Sequence, residues 1–495
     1  MLRASSISQI LLMLLAGASA TLSFAPFNWP VFSLISLITA YLLLQRSRSG
    51  WRSGWLYGSG FFGAGVSWVY VSIHYHGGMS APVAALMTAL FCVGLGLLFA
   101  LQFYLYKRIF RHPSPIGFGA LWIGFEWLRS WLLTGFPWLY LGYGWIDTPL
   151  ANLAPLGGIW LVSSAVVVLA LLVAFAIQHR EPTTIIAALL IFAGINFVPP
   201  ASTDQSGRSI KLALIQPNIS QSLKWQQSHF DSHIRQLGEL SLEAPNAQWI
   251  IWPETAVPRL INSSFDILSP WINELDRRNQ ILVSGFPRRE WRDDSQRWVY
   301  LNSIGTLTGF PSVYDKQRLV PFGEYIPMES WLRGAIEFFD LPMSSFSLPN
   351  KPSTPLQIGD TPVAASVCYE IAYPELVRSE VNAGTSLMLT VSNDTWFEGS
   401  HGPAQHLQIA RMRALENHRW LIRATNNGHT AVIDPLGQIA AQAPNRSTQV
   451  LHAEVWPSTE STVYQRLGSF PVLFSWLALF LIALIYSRRQ RPLKH

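Results

Sequence analysis

Apolar positions fall into two regimes along this 495-residue chain. In the first 200 residues they form seven long runs, at 8–26, 30–45, 53–73, 81–106, 116–134, 153–177 and 182–198, and an eighth occupies 470–487. Each approaches the ~20 residues that a helix needs to cross ~30 Å of hydrocarbon, the second and seventh being short. Beyond a Ser/Thr/Gly-containing linker at 202–207 the runs shrink and alternate. Strands are predicted at 210–216, 248–252, 281–285, 298–307, 362–368 and 386–392, and amphipathic helices at 229–242, 270–279, 374–382 and 406–419. A hairpin is predicted over 430–439, turning at Pro435-Leu436-Gly437. Strands alternating with helices predict an α/β domain whose helices cover sheet faces.

Composition supports the division. Charged residues make up 13% of the chain, against ~25% in soluble proteins. The 21 tryptophans suit membrane interfaces. The net charge of +6 does not point to nucleic acid, because the basic residues cluster between apolar runs. Arg3, Arg46, Arg48, Arg52, Lys107, Arg108, Arg111, Arg180, Arg488, Arg489, Arg491 and Lys494 fall in alternate connections, and loops 27–30, 74–80 and 135–152 contain no Lys or Arg. By the positive-inside rule both termini are cytoplasmic and 199–469 lies on the outer side, the periplasm of a diderm cell. The expected organisation is a seven-helix bundle over 1–200, an outer domain over 208–456, and a linker, eighth helix and basic tail over 457–495. The apolar N-terminus imitates a signal peptide but reads as the first anchor.

Within the spans, Glu126 and Arg129 stand at i, i+3 spacing, as a mutual pair or a substrate-path marker. The Gly- and aromatic-rich stretch 134–143, with Gly135 and Pro137, fits an interfacial belt and a lipid-contacting loop equally well.

Candidate chemistry sits at strand ends. Cys368 closes one predicted strand, Glu254 follows another in Trp252-Pro253-Glu254, and Lys316 follows Val313-Tyr314-Asp315. The other cysteine, Cys92, lies in an apolar run, so a disulfide is not expected. A thiol of pKa ~8.5 needs help to become a nucleophile. A carboxylate can take its proton, which gives Glu254 the role of base, and an ammonium favours the thiolate and the oxyanion, which gives Lys316 that role. Taken singly, each is more often a core cysteine, a solvated turn glutamate or a surface lysine. His401, His406 and His429 do not match zinc spacing, and no metal or organic cofactor is expected.

The flanking residues change that weighing. Trp252-Pro253-Glu254, the stretch from Tyr314 to Pro327, and Val367-Cys368-Tyr369-Glu370 resemble the nitrilase superfamily, with its Glu-Lys-Cys triad on an αββα sandwich. Together with eight apolar runs, the whole chain resembles the apolipoprotein N-acyltransferase family, the membrane-embedded branch. Further matches are Gln216-Pro217-Asn218-Ile219, Lys224-Trp225, Ser392-Asn393-Asp394-Thr395-Trp396-Phe397, Gln405-His406, Arg411, Ala414, Glu416, Asn417 and Ala424-Thr425-Asn426-Asn427-Gly428. Gln317-Arg318 departs from the histidines found in many relatives.

The resemblance implies Glu254 as base, Lys316 as oxyanion stabiliser and Cys368 as nucleophile. It adds Glu324 and Glu370 as supporting carboxylates, and Trp225 and Tyr369 on the substrate side. The implied partners are a phospholipid acyl donor and a diacylated lipoprotein acceptor; a monomer is expected separately, because no dimer surface is evident in the outer domain, and the sequence leaves the oligomeric state open. A greasy cover over the site is expected from Lys224-Trp225 and 328–348, because a thioester must outlast water until the amine arrives. Two other readings remain: a membrane-anchored amidase or hydrolase with the same triad, and a transporter or lipid-binding protein whose outer domain has lost catalysis.

Overall fold

The computed structural model describes residues 6–199, 207–325, 345–352 and 354–489. The linker at 202–206 and residues 328–344 of the expected cover lie outside them. By internal contacts the chain forms two compact units, Met1–Tyr70 with Ser80–Pro200 and Arg466–His495, and Val71–Met79 with Ala201–Gln465.

In the first unit the apolar runs are helical. Among the described residues three helices are long and apolar enough to cross a membrane: Ala81–Ile109, Pro149–His179 and Phe470–Arg489, of mean hydropathy 2.4, 2.7 and 2.2. Ile7–Ser23, Val31–Arg46 and Pro182–Ile195 are apolar but shorter. The run expected over 53–73 is broken: one helix covers Gly50–Gly65, a short helical turn Val69–Val71 follows, and a separate π-helical turn, Ser72–His76, belongs to the second unit. Helix Gly50–Gly65 packs backbone to backbone on Ala81–Ile109. A Cβ on Gly50 would strike the Phe103 carbonyl, one on Gly54 the Phe99 carbonyl, and one on Gly58 would lie 2.7 Å from the Gly96 Cα. Small residues at i, i+4 let apolar helices approach where lipid provides no hydrophobic drive between them.

Glu126 and Arg129 are both buried and face each other at 4.0 Å. Glu126 Oε1 also accepts from Trp122 Nε1 and the Leu141 N–H, and Arg129 donates to the Trp138 carbonyl. Mutual pairing, one of the two sequence readings, is present, while Glu126 Oε2 and one Arg129 guanidinium nitrogen are buried with no hydrogen-bond partner among the described residues. Gly135 has φ +88°, and Pro137 lies between Phe136 and Trp138, whose rings stack.

The second unit holds two six-stranded sheets. Its strands are β1 (Ile210–Gln216), β2 (Trp249–Ile251), β3 (Ile281–Arg292), β4 (Arg297–Thr306), β5 (Val313–Asp315), β6 (Leu356–Ile358), β7 (Thr361–Val367), β8 (Leu387–Ser392), β9 (Leu421–Thr425), β10 (Ala431–Ile433), β11 (Ile439–Gln442) and β12 (Gln449–Val455). The sheet orders are β12-β1-β2-β3-β4-β5 and β11-β10-β9-β8-β7-β6. Strands β1, β2 and β3 run parallel in one sheet, and β7, β8 and β9 in the other.

Alternate side chains explain the layers. Leu212, Leu214, Trp249 and Ile251 meet Val363, Ala365, Val367, Leu389, Val391 and Ile422 in the core between the sheets. Their neighbours face outward. Ala213, Ile215 and Ile250 pack on helices Phe230–Leu242 and Phe265–Arg277, and Ala364, Met388 and Leu421 on Pro374–Asn382 and Gly402–Asn417. Strands buried on both faces read as nearly unbroken apolar runs, and the result is an αββα sandwich. The strand expected to stop at 285 continues to Arg292 in a long hairpin with β4, and β12, an edge partner of β1, was not foreseen. Before the last helix, Gln465 accepts from Arg378 and Asn382 and donates to the Asn417 carbonyl.

Replacing Gly54 with Val should destabilise the first unit by about 1–3 kcal/mol through overpacking. A Cβ at Gly63 meets nothing within 4 Å, so Gly63→Ala is the control. Thermal unfolding in detergent should show a lowered Tm for Gly54→Val alone, and equal midpoints would refute the close-packing account.

Candidate active site

The parallel strands deliver their functional residues from their carboxyl ends, where ligands of open α/β sheets gather. Glu254 follows β2, Cys368 follows β7, and Ser392 ends β8. Lys316 follows β5, from the antiparallel part of the first sheet.

Lys316 is buried, and its Nζ donates to Glu324 Oε1 at 2.8 Å and lies 4.0 Å from Glu254 Oε1. Asn302 Nδ2 bridges the two carboxylates, 3.0 Å from Glu254 Oε1 and 2.9 Å from Glu324 Oε1. The second Glu254 oxygen accepts from the Asn393 N–H at 2.9 Å. Burial opposes the Lys316 charge, but Glu324 and Glu254 outweigh it and hold the ammonium above its ordinary range. Glu324 Oε2 accepts the Val320 N–H, which fixes the turn that carries it.

Glu370 is buried too. Its Oε1 accepts from the Gln317 and Arg318 N–H groups at 2.5 and 3.0 Å, and its Oε2 from the Val367 N–H at 2.7 Å. It therefore staples the backbone beyond Lys316 to the backbone before Cys368. Burial pushes its carboxyl up to about 7, against the pull of Lys316 and those three N–H groups.

Cys368 itself has φ +55°, a left-handed conformation that is uncommon for a side chain with a Cβ. Thr255, next to Glu254, has φ +47°. Such residues cost ~1–3 kcal/mol and persist only where their surroundings hold them. Gly285 makes room for the Glu254 turn, since a Cβ there would lie 2.6 Å from the Thr255 nitrogen and 2.8 Å from the Glu254 Cα.

Lys316 does pull the Cys368 thiol down, but burial, the Glu254 charge and Asp394 push it up to about 12. Burial and the neighbouring carboxylates therefore favour the protonated thiol over the thiolate.

Trp225 packs with Tyr325 and Trp396 against Leu319 and Phe346, an apolar patch beside the Lys316 turn. His76, from the π-helical turn, meets the Trp396 ring edge-on at 5.6 Å. Tyr369 meets Tyr373 at 5.4 Å. Gly135 and Pro137 belong to the other compact unit.

Comparison with known proteins fits this geometry. Residues 16–172 match the model of the apolipoprotein N-acyltransferase N-terminal domain, and residues 211–464 that of carbon-nitrogen hydrolase. An apolipoprotein N-acyltransferase of Pseudomonas syringae pv. tomato is 43% identical over 493 residues, covering 97% of each chain. This chain belongs to the apolipoprotein N-acyltransferase family. Other members, from Pseudomonas aeruginosa and Azotobacter vinelandii, are 41% and 40% identical, each covering 97% of this chain and 96% and 95% of their own length.

For this family member, sequence reasoning found the charged residues and missed their holders. Asn302 lies mid-strand, where nothing in the local sequence marks it. Lys224 read as part of a cover. It is buried, and its Nζ donates to the Glu254 carbonyl at 2.9 Å. Burial lowers its pKa to about 8 against the Glu254 and Cys368 charges.

The raised thiol gives a pH prediction. Below its pKa, Cys368 is protonated and unreactive, so alkylation by iodoacetamide should be slow at neutral pH and climb as pH rises toward 12. Lys316→Met removes the pull toward thiolate and should move that climb to still higher pH. Peptide mass mapping of alkylated Cys368 measures both, and fast alkylation at pH 7 would contradict the assignment.

Proposed function

We propose that this chain transfers an acyl chain from a membrane phospholipid to the α-amino group of the N-terminal diacylglyceryl-cysteine of an apolipoprotein, through a thioester on Cys368. The observation that carries the reading is the buried Lys316 ammonium, shared by Glu254 and Glu324 and coupled electrostatically to the cysteine. Family membership over nearly the whole chain selects the substrates.

In the first half-reaction the Cys368 sulfur attacks the ester carbonyl carbon while its proton passes to Glu254. The carbonyl oxygen becomes an oxyanion facing Lys316. The ester C–O bond then breaks, and the proton returns from Glu254 to the departing lysophospholipid oxygen. In the second half-reaction the lipoprotein amine attacks the thioester carbonyl and gives its proton to Glu254; the C–S bond then breaks and Glu254 returns that proton to the departing Cys368 sulfur, leaving the amide and the free thiol. Glu324 holds Lys316 in place, and Glu370 fixes the backbone on both sides.

Trp225 and Tyr369 are assigned to the substrate side, as are Gly135 and Pro137 in the aromatic loop. The eight apolar runs are assigned as membrane spans of the inner membrane, 1–200 and 457–495 forming the anchor and 208–456 the periplasmic catalytic domain, with both termini cytoplasmic. The protein acts as a monomer, with no metal or organic cofactor in the scheme.

Intact mass after mixing with a phospholipid of known chain length tests the scheme. One added acyl chain, removed by hydroxylamine and absent from Cys368→Ser, is expected, and a diacylated lipopeptide should discharge it to the peptide amine. Lys316→Met should slow adduct formation by ~10²–10³, the usual cost of one oxyanion donor. No adduct on folded protein with lipid present would refute the thioester, and clearance by water as fast as by peptide would indicate a hydrolase.

A further inference from the structure

A second charged cluster lies behind the nucleophile and has no part in the scheme above. In the parallel pair β7–β8, Val367 registers with Val391, which sets Ser392 level with Cys368. The Ser392 hydroxyl oxygen is buried 3.4 Å from Cys368 Sγ and 2.7 Å from Asp394 Oδ1. Asp394 Oδ2 is held by Arg423 at 2.7 Å, and both side chains are buried. Although burial works against it, Arg423 keeps Asp394 well below the usual carboxylate range, so it stays ionised. His406 completes the cluster. Its Nε2 lies 3.1 Å from the Cys368 carbonyl, its Nδ1 3.1 Å from Arg423 and 3.2 Å from Asp394 Oδ1. A carbonyl only accepts, so Nε2 carries the hydrogen and fixes the carbonyl of the left-handed Cys368.

A hydroxyl has one proton to give, and here two acceptors stand within reach of it. Against a neutral thiol the carboxylate is the stronger acceptor, and the hydrogen bond at 2.7 Å is the shorter one. Against a thiolate the balance changes, because charge has moved onto sulfur. Interactions that strengthen only as charge develops are the ones that accelerate a step.

We infer that Ser392 is a further catalytic residue of this site, its hydroxyl turning from Asp394 to the Cys368 sulfur as the thiolate forms. The inference rests on Cys368 being the nucleophile. No covalent bond changes at Ser392. As Glu254 takes the thiol proton, the serine O–H leaves Oδ1 and points at sulfur, its proton staying on oxygen. When the C–S bond forms and the charge leaves sulfur, the O–H returns to Asp394, which Arg423 has held meanwhile. Asp394, Arg423 and His406 are positioning residues. The charged or titratable groups around the sulfur are then Glu254, Lys316, Lys224, Asp394 and His406.

The full-length protein in detergent tests this through the pH dependence of Cys368 alkylation by iodoacetamide, read by peptide mass. Ser392→Ala should move the reactive limb up by about one pH unit, and slow both alkylation below it and acyl-enzyme formation about tenfold, the weight of a hydrogen bond to a charged group. Ser392→Thr, which keeps the hydroxyl, should restore both. A purely structural role would lower the Tm and leave the limb in place. An unmoved limb in folded Ser392→Ala overturns the inference. Should that variant not fold, Ser392→Thr and Ser392→Cys replace it: the Thr limb must match the unaltered chain and the Cys limb, from a weaker donor, must lie higher, and identical limbs overturn the proposal. Absence of any acyl adduct on the unaltered chain is a separate result, and would sink the acyl-transfer reading instead.

Discussion

Everything in the sandwich domain is arranged around one buried ammonium. An isolated ion taken out of water costs several kcal/mol even after relaxation, and a pair repays this only with good geometry and satisfied partners. Lys316 has such partners: Glu324 in direct contact, Glu254 at 4.0 Å, and Asn302 tying the two carboxylates together. Burial first, and then the Glu254 and Asp394 charges, hold the Cys368 thiol above its ordinary range despite its lysine neighbour.

The sheets supply the precision that such a balance needs. Glu254, Cys368 and Ser392 come from the ends of parallel strands, whose register is set by alternate apolar residues locked in the inter-sheet core. A shift of one residue would turn those residues to the wrong face. Left-handed backbone at Cys368 and Thr255 is tolerated because neighbours hold it. Glu370 fixes the N–H groups around the cysteine elbow, His406 holds the cysteine carbonyl, and Gly285 leaves space beneath the Glu254 turn. In the apolar unit, glycines replace registered strands as the device for close approach.

Two residue types separate what was visible early from what was not. Charged residues stood out in the sequence because an apolar strand that ends in Glu, Lys or Cys breaks its own pattern. Asn302 carried no such mark, and Ser392 and Lys224 stood out only as parts of family-like stretches, with no contact to the site legible. Asn302 and Ser392 sit within strands as ordinary polar positions, and Lys224 sits beside a tryptophan that drew attention to itself as a cover. Each matters only through a partner 24 to 48 residues away. The raised thiol belongs in the same group. The sequence supplied an ammonium to lower it, whereas the depth of burial and the count of carboxylates around it emerge only after folding.

The sequence by itself determined the two regimes of the chain, the alternation that makes a layered α/β domain, and the placement of a Glu, a Lys and a Cys at strand ends. These are local quantities: run length, period and the residue that closes a strand. Tertiary structure decided which carboxylate touches the lysine, which oxygen stands beside the sulfur, and where helix Gly50–Gly65 stops so that Ser72–His76 joins the other unit. Hydrogen bonds and desolvation depend on distances of a few ångströms between segments far apart in the chain, and no pattern along a single segment encodes them.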